Sequence, residues 1–325
     1  MSEVASARRF TRGMQLCLLI LLAMPSLAIA TFSIVACDRE GNCGAAVATN
    51  NLAVGASVPY AQARVGALVS QFETNPAYGP KALALLSAGE SPETAMKILL
   101  DSDDHFDGST IAARQVGLVD IKGRSASYTG SEALRATWAG ADHGDGYSVQ
   151  GNGLAGERVV NAIKRTFLSS RGTLAERLMS GLEAGQAAGG QTIGKLSAAL
   201  LVRTTQGGWQ DIDLRVDGAA EPIEDLRRLM EQHYAHQAII RAEHQARKGM
   251  TREARSSISE ALRRSRGWDR IWRRAARLAT TMGDKESALD YLGVFLSINP
   301  AWARTEIQDE IYAPLHDEAL FKSWQ

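Results

Sequence analysis

Three groups of residues have types and spacings that suit chemistry. The first is Thr31, which follows Ala28-Ile29-Ala30 and opens the run Thr31-Phe32-Ser33-Ile34-Val35-Ala36. Ahead of it stand a basic start (Arg8, Arg9, Arg12), an apolar run from Met14 to Met24, a break at Pro25 and the small residues of Ala28-x-Ala30. That order is the pattern of a secretory leader with its cleavage site. The apolar run holds 11 residues, against the roughly 20 that span a bilayer. Residues 1–30 are therefore expected to be a removed signal peptide, the product periplasmic or secreted, with no integral membrane segment after processing. Arg8-Arg9-Phe10 leaves the general and the twin-arginine export routes both open. A cut after Ala30 gives Thr31 a free α-amine of pKa about 8. That amine can act as base for the hydroxyl of the same residue.

The second group is Gln150-Gly151-Asn152-Gly153, expected between a short strand ending at Val149 and a helix beginning near Ala155. Glycines let backbone approach a ligand, and amide side chains beside a helix N-terminus can stabilise a developing oxyanion. A plain capped turn explains the same residues. The third group is Cys37 and Cys43, which flank the five-residue turn Asp38-Arg39-Glu40-Gly41-Asn42. With Cys17 inside the leader they are the only cysteines of the mature chain, and export favours a cross-hairpin disulfide over two buried thiols. In a symmetric hairpin, positions summing to 80 face each other. Thr31 then stands opposite Thr49, with Asn50 and Asn51 just beyond. Asn75, in Asn75-Pro76-Ala77-Tyr78-Gly79, is a helix cap or a pocket residue.

Other chemistries lack their residues. The chain has no P-loop, no dinucleotide-binding glycine fingerprint, no His-Glu-x-x-His and no Gly-x-Ser-x-Gly elbow. Its six histidines are scattered; His233 and His236 read as a solvated helix face, and His105 and His143 as surface loop residues. No metal or other cofactor is expected. The whole chain carries 36 basic and 36 acidic residues, and a leader holding Arg8, Arg9, Arg12 and Glu3 leaves 33 against 35. That balance argues against a nucleic-acid partner.

Several elements must position these groups. Val54–Val58 and Val65–Val69 read as buried strands, and Pro76 opens a helix through Leu86. Ser91-Pro92-Glu93 caps a second helix. Residues 115–120 and 125–129 form a hairpin about Lys122-Gly123. Helices at 155–168 and 173–186 precede strands at 196–204 and 210–216, where Asp213 and Arg215 alternate on one face as a structural pair. Hairpins, helices and strands in this order indicate a layered α+β domain over 31–222. From 223 to 325 the composition turns charged, alanine-rich and helical. Gly249 and Gly283, Ala254 and Ala288, Ile258 and Leu292, Leu262 and Leu296, and Trp268 and Trp302 are each 34 residues apart. That period, closed by Pro300, resembles tetratricopeptide repeats, in two units that need a neighbour to bury their faces.

Residues 31 to about 222 resemble the domain of unknown function 1028 family. The resemblance rests on Thr31-Phe32-Ser33-Ile34-Val35-Ala36, Asn75-Pro76-Ala77-Tyr78-Gly79, Trp138-Ala139-Gly140, Val149-Gln150-Gly151-Asn152, and Ser197-Ala198-Ala199-Leu200-Leu201 leading to Asp213-Leu214-Arg215-Val216-Asp217. It implies an N-terminal-nucleophile (Ntn) hydrolase-like fold, a four-layer αββα sandwich. Members that begin Met-Thr-Phe-Ser expose the same threonine by losing methionine. Two departures stand out: the hairpin cysteines, which fit export, and the absence of a cysteine after Thr129-Gly130-Ser131.

The expectation is an exported hydrolase of a small or linear amide. Thr31 is its nucleophile and base, Gln150 and Asn152 hold the oxyanion, and Thr49, Asn50 and Asn75 line the pocket. The rival is a non-catalytic secreted binding module that uses the same pocket. In both, the helical tail recruits a protein partner.

Overall fold

The computed structural model describes residues 30–324. Residues 1–29 of the expected leader, with Cys17 and the arginine pair, lie outside the described residues. Two antiparallel sheets form the first part of the chain. The larger has six strands in the order β10-β9-β2-β1-β8-β7. These are β1 (Thr31–Cys37), β2 (Cys43–Thr49), β7 (Gly140–Gly144), β8 (Tyr147–Asn152), β9 (Ser197–Arg203) and β10 (Ile212–Val216). The smaller has the order β3-β4-β5-β6, with β3 (Pro59–Gln62), β4 (Gly66–Phe72), β5 (Arg114–Asp120) and β6 (Ser125–Thr129).

Alternation within β1 assigns each residue a layer. Phe32 and Ile34 join an apolar cluster with Val160, Ile163, Leu178 and Leu182. Those residues lie on α3 (Glu157–Ser169) and α4 (Leu174–Ala187). Val35 faces the other way, packing with Val47, Ala67, Val69 and Val119 between the sheets. The outer face of the smaller sheet is covered by α1 (Tyr78–Ser87) and α2 (Pro92–Asp101), through Leu68, Leu118, Ala82 and Leu99. Helices, sheet, sheet and helices are thus stacked in that order. Strands buried on both faces explain why β2 reads Cys-Gly-Ala-Ala-Val-Ala-Thr without polar alternation.

The hairpin has the expected register: Thr31 opposite Thr49 and Cys37 opposite Cys43. The two cysteines are joined by a disulfide, with Cα atoms 4.1 Å apart. Asp38 organises the turn independently, its carboxylate accepting from the Glu40 and Asn42 amides at 2.9 and 3.0 Å. Gly41 supplies the left-handed residue, φ 87°. Replacing both cysteines by alanine is therefore expected to cost about 2 kcal/mol through loop entropy while the hairpin register survives. Urea unfolding of Cys37→Ala/Cys43→Ala against the oxidised chain measures this, and a cost near zero would show that the turn alone holds the hairpin.

Two expectations need correction. Val54–Val58 is not a strand. Val54–Ala56 is a short 3-10 turn entered through Ala53 at φ 53°, and its ends, Val54 and Val58, both enter the inter-sheet core. Strand β8 does not stop at Val149 but runs on to Asn152.

Helix α5 (Pro222–Arg247) is continuous across the expected boundary at 222/223. Its first turns place Ile223, Leu226 and Met230 in the core beside α3 and α4. Its later part packs Ala235, Ala238 and Ile239 on Ile258 and Ile271. These come from α6 (Thr251–Arg264) and α7 (Asp269–Thr281), which α8 (Lys285–Ile298) and the short α9 (Pro300–Glu306) follow. Both ends of α8 lie 34 residues beyond those of α6, and Gly249 and Gly283 precede them at φ 72° and 74°. Among the described residues, no helix is long and apolar enough to cross a membrane.

Candidate active site

The continuation of β8 decides the geometry. Thr31 pairs with Asn152 and Ser33 with Gln150 across β1 and β8, so all four side chains project toward the smaller sheet. There they meet Gln71 of β4 and Gln115 of β5. All six residues are at most 3% exposed. Gly117 makes room for them: a Cβ at that position would lie 1.9 Å from the Gln150 Oε1.

Every amide in this cluster has a forced orientation. Gln115 Nε2 faces Gly151 O at 2.9 Å, Gly140 O at 3.4 Å and Thr129 Oγ1 at 3.1 Å. The two carbonyls can only accept. The Gln115 Oε1 is therefore left to accept from Asn152 Nδ2 and Gln71 Nε2, each at 2.8 Å. Asn152 must then present its own Oδ1 to Thr31, whose N–H donates to it at 3.2 Å. The Gln71 Oε1 accepts from Ser33 Oγ at 2.6 Å, Ser33 Oγ from Gln150 Nε2 at 2.7 Å, and the Gln150 Oε1 from Ser148 Oγ at 2.8 Å. The result is a neutral, buried network in which two lines of donation, one from Ser148 and one from the Thr31 N–H, converge on the Gln115 Oε1.

The Thr31 hydroxyl is fixed by the same counting. Thr49 Oγ1 donates its single proton to the Ala30 carbonyl at 2.8 Å. The 3.0 Å contact between the two threonine hydroxyls is therefore a donation from Thr31 to Thr49. The Asn50 N–H also points at the Ala30 carbonyl, at 3.4 Å. Two donors thus converge on one carbonyl oxygen beside the Thr31 hydroxyl. Ala30 and Thr31 are only 1% and 3% exposed.

The expected roles of the amides change accordingly. Gln150 does not reach Thr31: it lies one pair further along the strand, its nitrogen engaged by Ser33 O and Oγ. Asn152 touches Thr31 as an acceptor, not as an oxyanion donor. Asn50 contributes its backbone N–H. Gln71 and Gln115 are not among the residues expected at the site, although each puts an amide where strand alternation calls for an inward apolar residue.

This site lies in a segment with known relatives. A family model described as a family of unknown function, DUF1028, matches residues 31–226. The chain belongs to the DUF1028 family. Among solved structures it is similar to protein SPO2555 from Silicibacter pomeroyi, itself described as a DUF1028 family member. The two are 32% identical with a TM-score of 0.56, over 62% of this chain and 85% of that one. No curated protein matches.

Asn75 belongs to a different cluster of the DUF1028 domain. Arg114 precedes Gln115 on β5 and so projects to the opposite face of the smaller sheet. It is fully buried and forks onto Asp103, Nε to Oδ1 at 2.9 Å and Nη2 to Oδ2 at 3.1 Å. Asn75 Nδ2 and Tyr78 OH add bonds to Asp103 Oδ1 at 3.1 and 2.5 Å. Asn75 Oδ1 accepts from the Ala77 amide just before α1. Burial disfavours the Asp103 charge, but the bonds from Arg114, Tyr78 and Asn75 outweigh it and hold the carboxyl below its usual range. Burial, reinforced by Asp103, pushes the Tyr78 phenol up. Asn75 is therefore a network residue on the far face of the smaller sheet from Thr31, its Oδ1 holding the turn ahead of α1 rather than capping the helix. Asp213 and Arg215 do not pair with each other either: Asp213 bonds Arg203 and Arg215 bonds Asp217.

Phe72, Asp104, His105 and Asp107, next to this Arg114–Asp103 cluster, have φ between 51° and 68° without being glycine, as do Ala53, Arg64 and Arg266 elsewhere.

Proposed function

We propose that the DUF1028 domain is an exported N-terminal-nucleophile hydrolase of a small or linear amide, with Thr31 as both nucleophile and base. The observation that carries this reading is the treatment of Thr31. A network without a single ionisable side chain orients its nitrogen through Asn152 and its hydroxyl through Thr49. The family match begins at that same residue, which fits a functional first residue. The stacking of helices, sheet, sheet and helices suits the four-layer Ntn arrangement. The 34-residue offset of α6 and α8 suits a tetratricopeptide-like tail that meets a protein partner, and the disulfide suits a periplasmic or secreted setting.

Once Ala30 is removed, the Thr49 hydroxyl and the Asn50 N–H lose the carbonyl they hold. They become the donors for a substrate oxyanion. Thr31 Oγ attacks the amide carbon, and its proton passes to the Thr31 amine. The tetrahedral oxyanion accepts from Thr49 and Asn50. On collapse the C–N bond breaks, and the ammonium proton goes to the departing amine. Water, deprotonated by the same α-amine, then cleaves the ester on Thr31 and regenerates the hydroxyl. Asn152, accepting from the amine, aims its lone pair at the hydroxyl. On this reading the leader is removed before the larger sheet closes, since Ala30 and Thr31 are buried in the folded chain.

Removing one oxyanion donor costs about 10²–10³ in kcat. Thr49→Val is accordingly expected to lower kcat on an amide substrate by about that factor with little change in KM, the chain remaining folded. A panel of linear and cyclic amides that the mature wild-type chain leaves unhydrolysed would contradict the reading and leave a binding module.

A further inference from the structure

A cavity of about 1060 Å³ opens at the other end of β1, beside Cys37, about 20 Å from Thr31 at strand rise. Six pieces of chain wall it: the disulfide turn, the β5–β6 turn at Lys122, the β7–β8 turn at Asp145, the corner between α3 and α4, the loop between β9 and β10, and the middle of α5. Cross-braces hold these walls together. The Thr205 amide donates to Asn42 Oδ1 at 2.9 Å, the Thr173 and Tyr234 hydroxyls meet at 2.6 Å, and Gln237 Nε2 donates to Trp209 O at 2.7 Å. Such a cavity is formed before any ligand arrives.

One of its lining residues, Arg177, is exceptional. Among the described residues, every other arginine or lysine that is at least partly buried has a carboxylate within 4 Å. Arg177 has none. Its guanidinium stacks on the Phe167 ring at 4.2 Å and makes only two long bonds, 3.4 Å each, to Phe167 O. Burial works against its charge, and Asp38 offsets this only in part. A stacked, half-buried guanidinium with free donors is suited to a planar carboxylate.

The surroundings narrow the ligand. Asp38, Glu40 and Asp145 also line the cavity, against Arg39, Lys122 and Arg177, while Glu176 is paired with Arg264, a balance of both signs that suits a zwitterion better than a multiply charged anion. Phe167, Leu174, Val202 and Ile212 supply apolar wall. We propose that this cavity binds a small zwitterion, a free amino acid or short peptide, with its α-carboxylate on Arg177 and its ammonium among the acidic side chains. This site does not depend on Thr31 being catalytic.

Calorimetric titration of the mature chain with leucine, Ala-Leu, Ala-Leu amide and inorganic phosphate tests it. At least one of the two acids is expected to bind, raising the melting temperature with concentration. The amide is expected to bind at least about tenfold more weakly, a difference of 1.4 kcal/mol, and phosphate not to compete. Leucine against Ala-Leu tells a free amino acid from a peptide end. Arg177→Gln should remove the preference for acid over amide, and Arg177→Lys restore part of it. Equal binding of acid and amide by the unmodified chain, competition by phosphate, or no binding of either acid at about 10 mM overturns the proposal, whatever the variants do to folding.

Discussion

Thr31→Ala is expected to leave a folded chain with amide turnover reduced by about 10⁴-fold or more, the scale of losing a catalytic nucleophile. The fold should survive because the Thr31 side chain makes one hydrogen bond, to Thr49, worth about 1 kcal/mol. Thr31→Ser keeps the hydroxyl and the amine and should retain measurable turnover. The rate is expected to rise with pH through the ordinary range of an α-amine, about 8, because only the neutral amine takes the hydroxyl proton. Steady-state kinetics on the three chains checks all of this. Equal rates for Thr31→Ala and wild type would remove Thr31 from the chemistry.

Asp103→Asn is expected to cost about 3–5 kcal/mol, because it leaves the fully buried Arg114 without its counter-charge. The exposed Lys97–Asp101 pair gives the contrast, since its loss should cost no more than about 0.5 kcal/mol. Chemical denaturation of Asp103→Asn beside Asp101→Asn measures the difference. The pH dependence has a definite sign. The folded carboxyl of Asp103 is held below its unfolded value, so the stabilisation is complete above about pH 4 and is lost as pH falls through the lower folded value. Stability of Asp103→Asn should therefore depend less on pH in the acid range than that of wild type. An unchanged acid transition would mean that Asp103 titrates alike folded and unfolded.

The sequence disclosed the hairpin register because a disulfide pair and a symmetric turn leave only one alignment. It disclosed the capped start of α2, since Ser91-Pro92-Glu93 names the cap, which accepts from the Thr94 amide at 3.1 Å. Val54–Val58 reads as a strand because two valines four residues apart reach one core from a turn as easily as from a strand. The end of β8 was misplaced for a related reason: Gln150, Gly151 and Asn152 look like loop residues, and only pairing with β1 keeps them extended. That misplacement hid the site. As turn residues the amides were free to donate to an oxyanion, whereas as strand residues opposite Ser33 and Thr31 they are committed by partners on another sheet. Gln71 lies 38 positions from Ser33 and Gln115 lies 37 from Asn152, and local pattern carries no information about such a meeting. The boundary read near Pro222 coincides with the first residue of α5, a helix whose apolar residues serve two cores in succession.

The measurement closest to the central claim is the intact mass of the exported protein before and after treatment with a β-lactone, an electrophile that acylates a terminal threonine. A chain beginning at Thr31 that gains one acyl group, mapped to its first residue and absent from Thr31→Ala, is the predicted result. A mature chain that begins elsewhere, carries a blocked terminus or takes no label at Thr31 contradicts it.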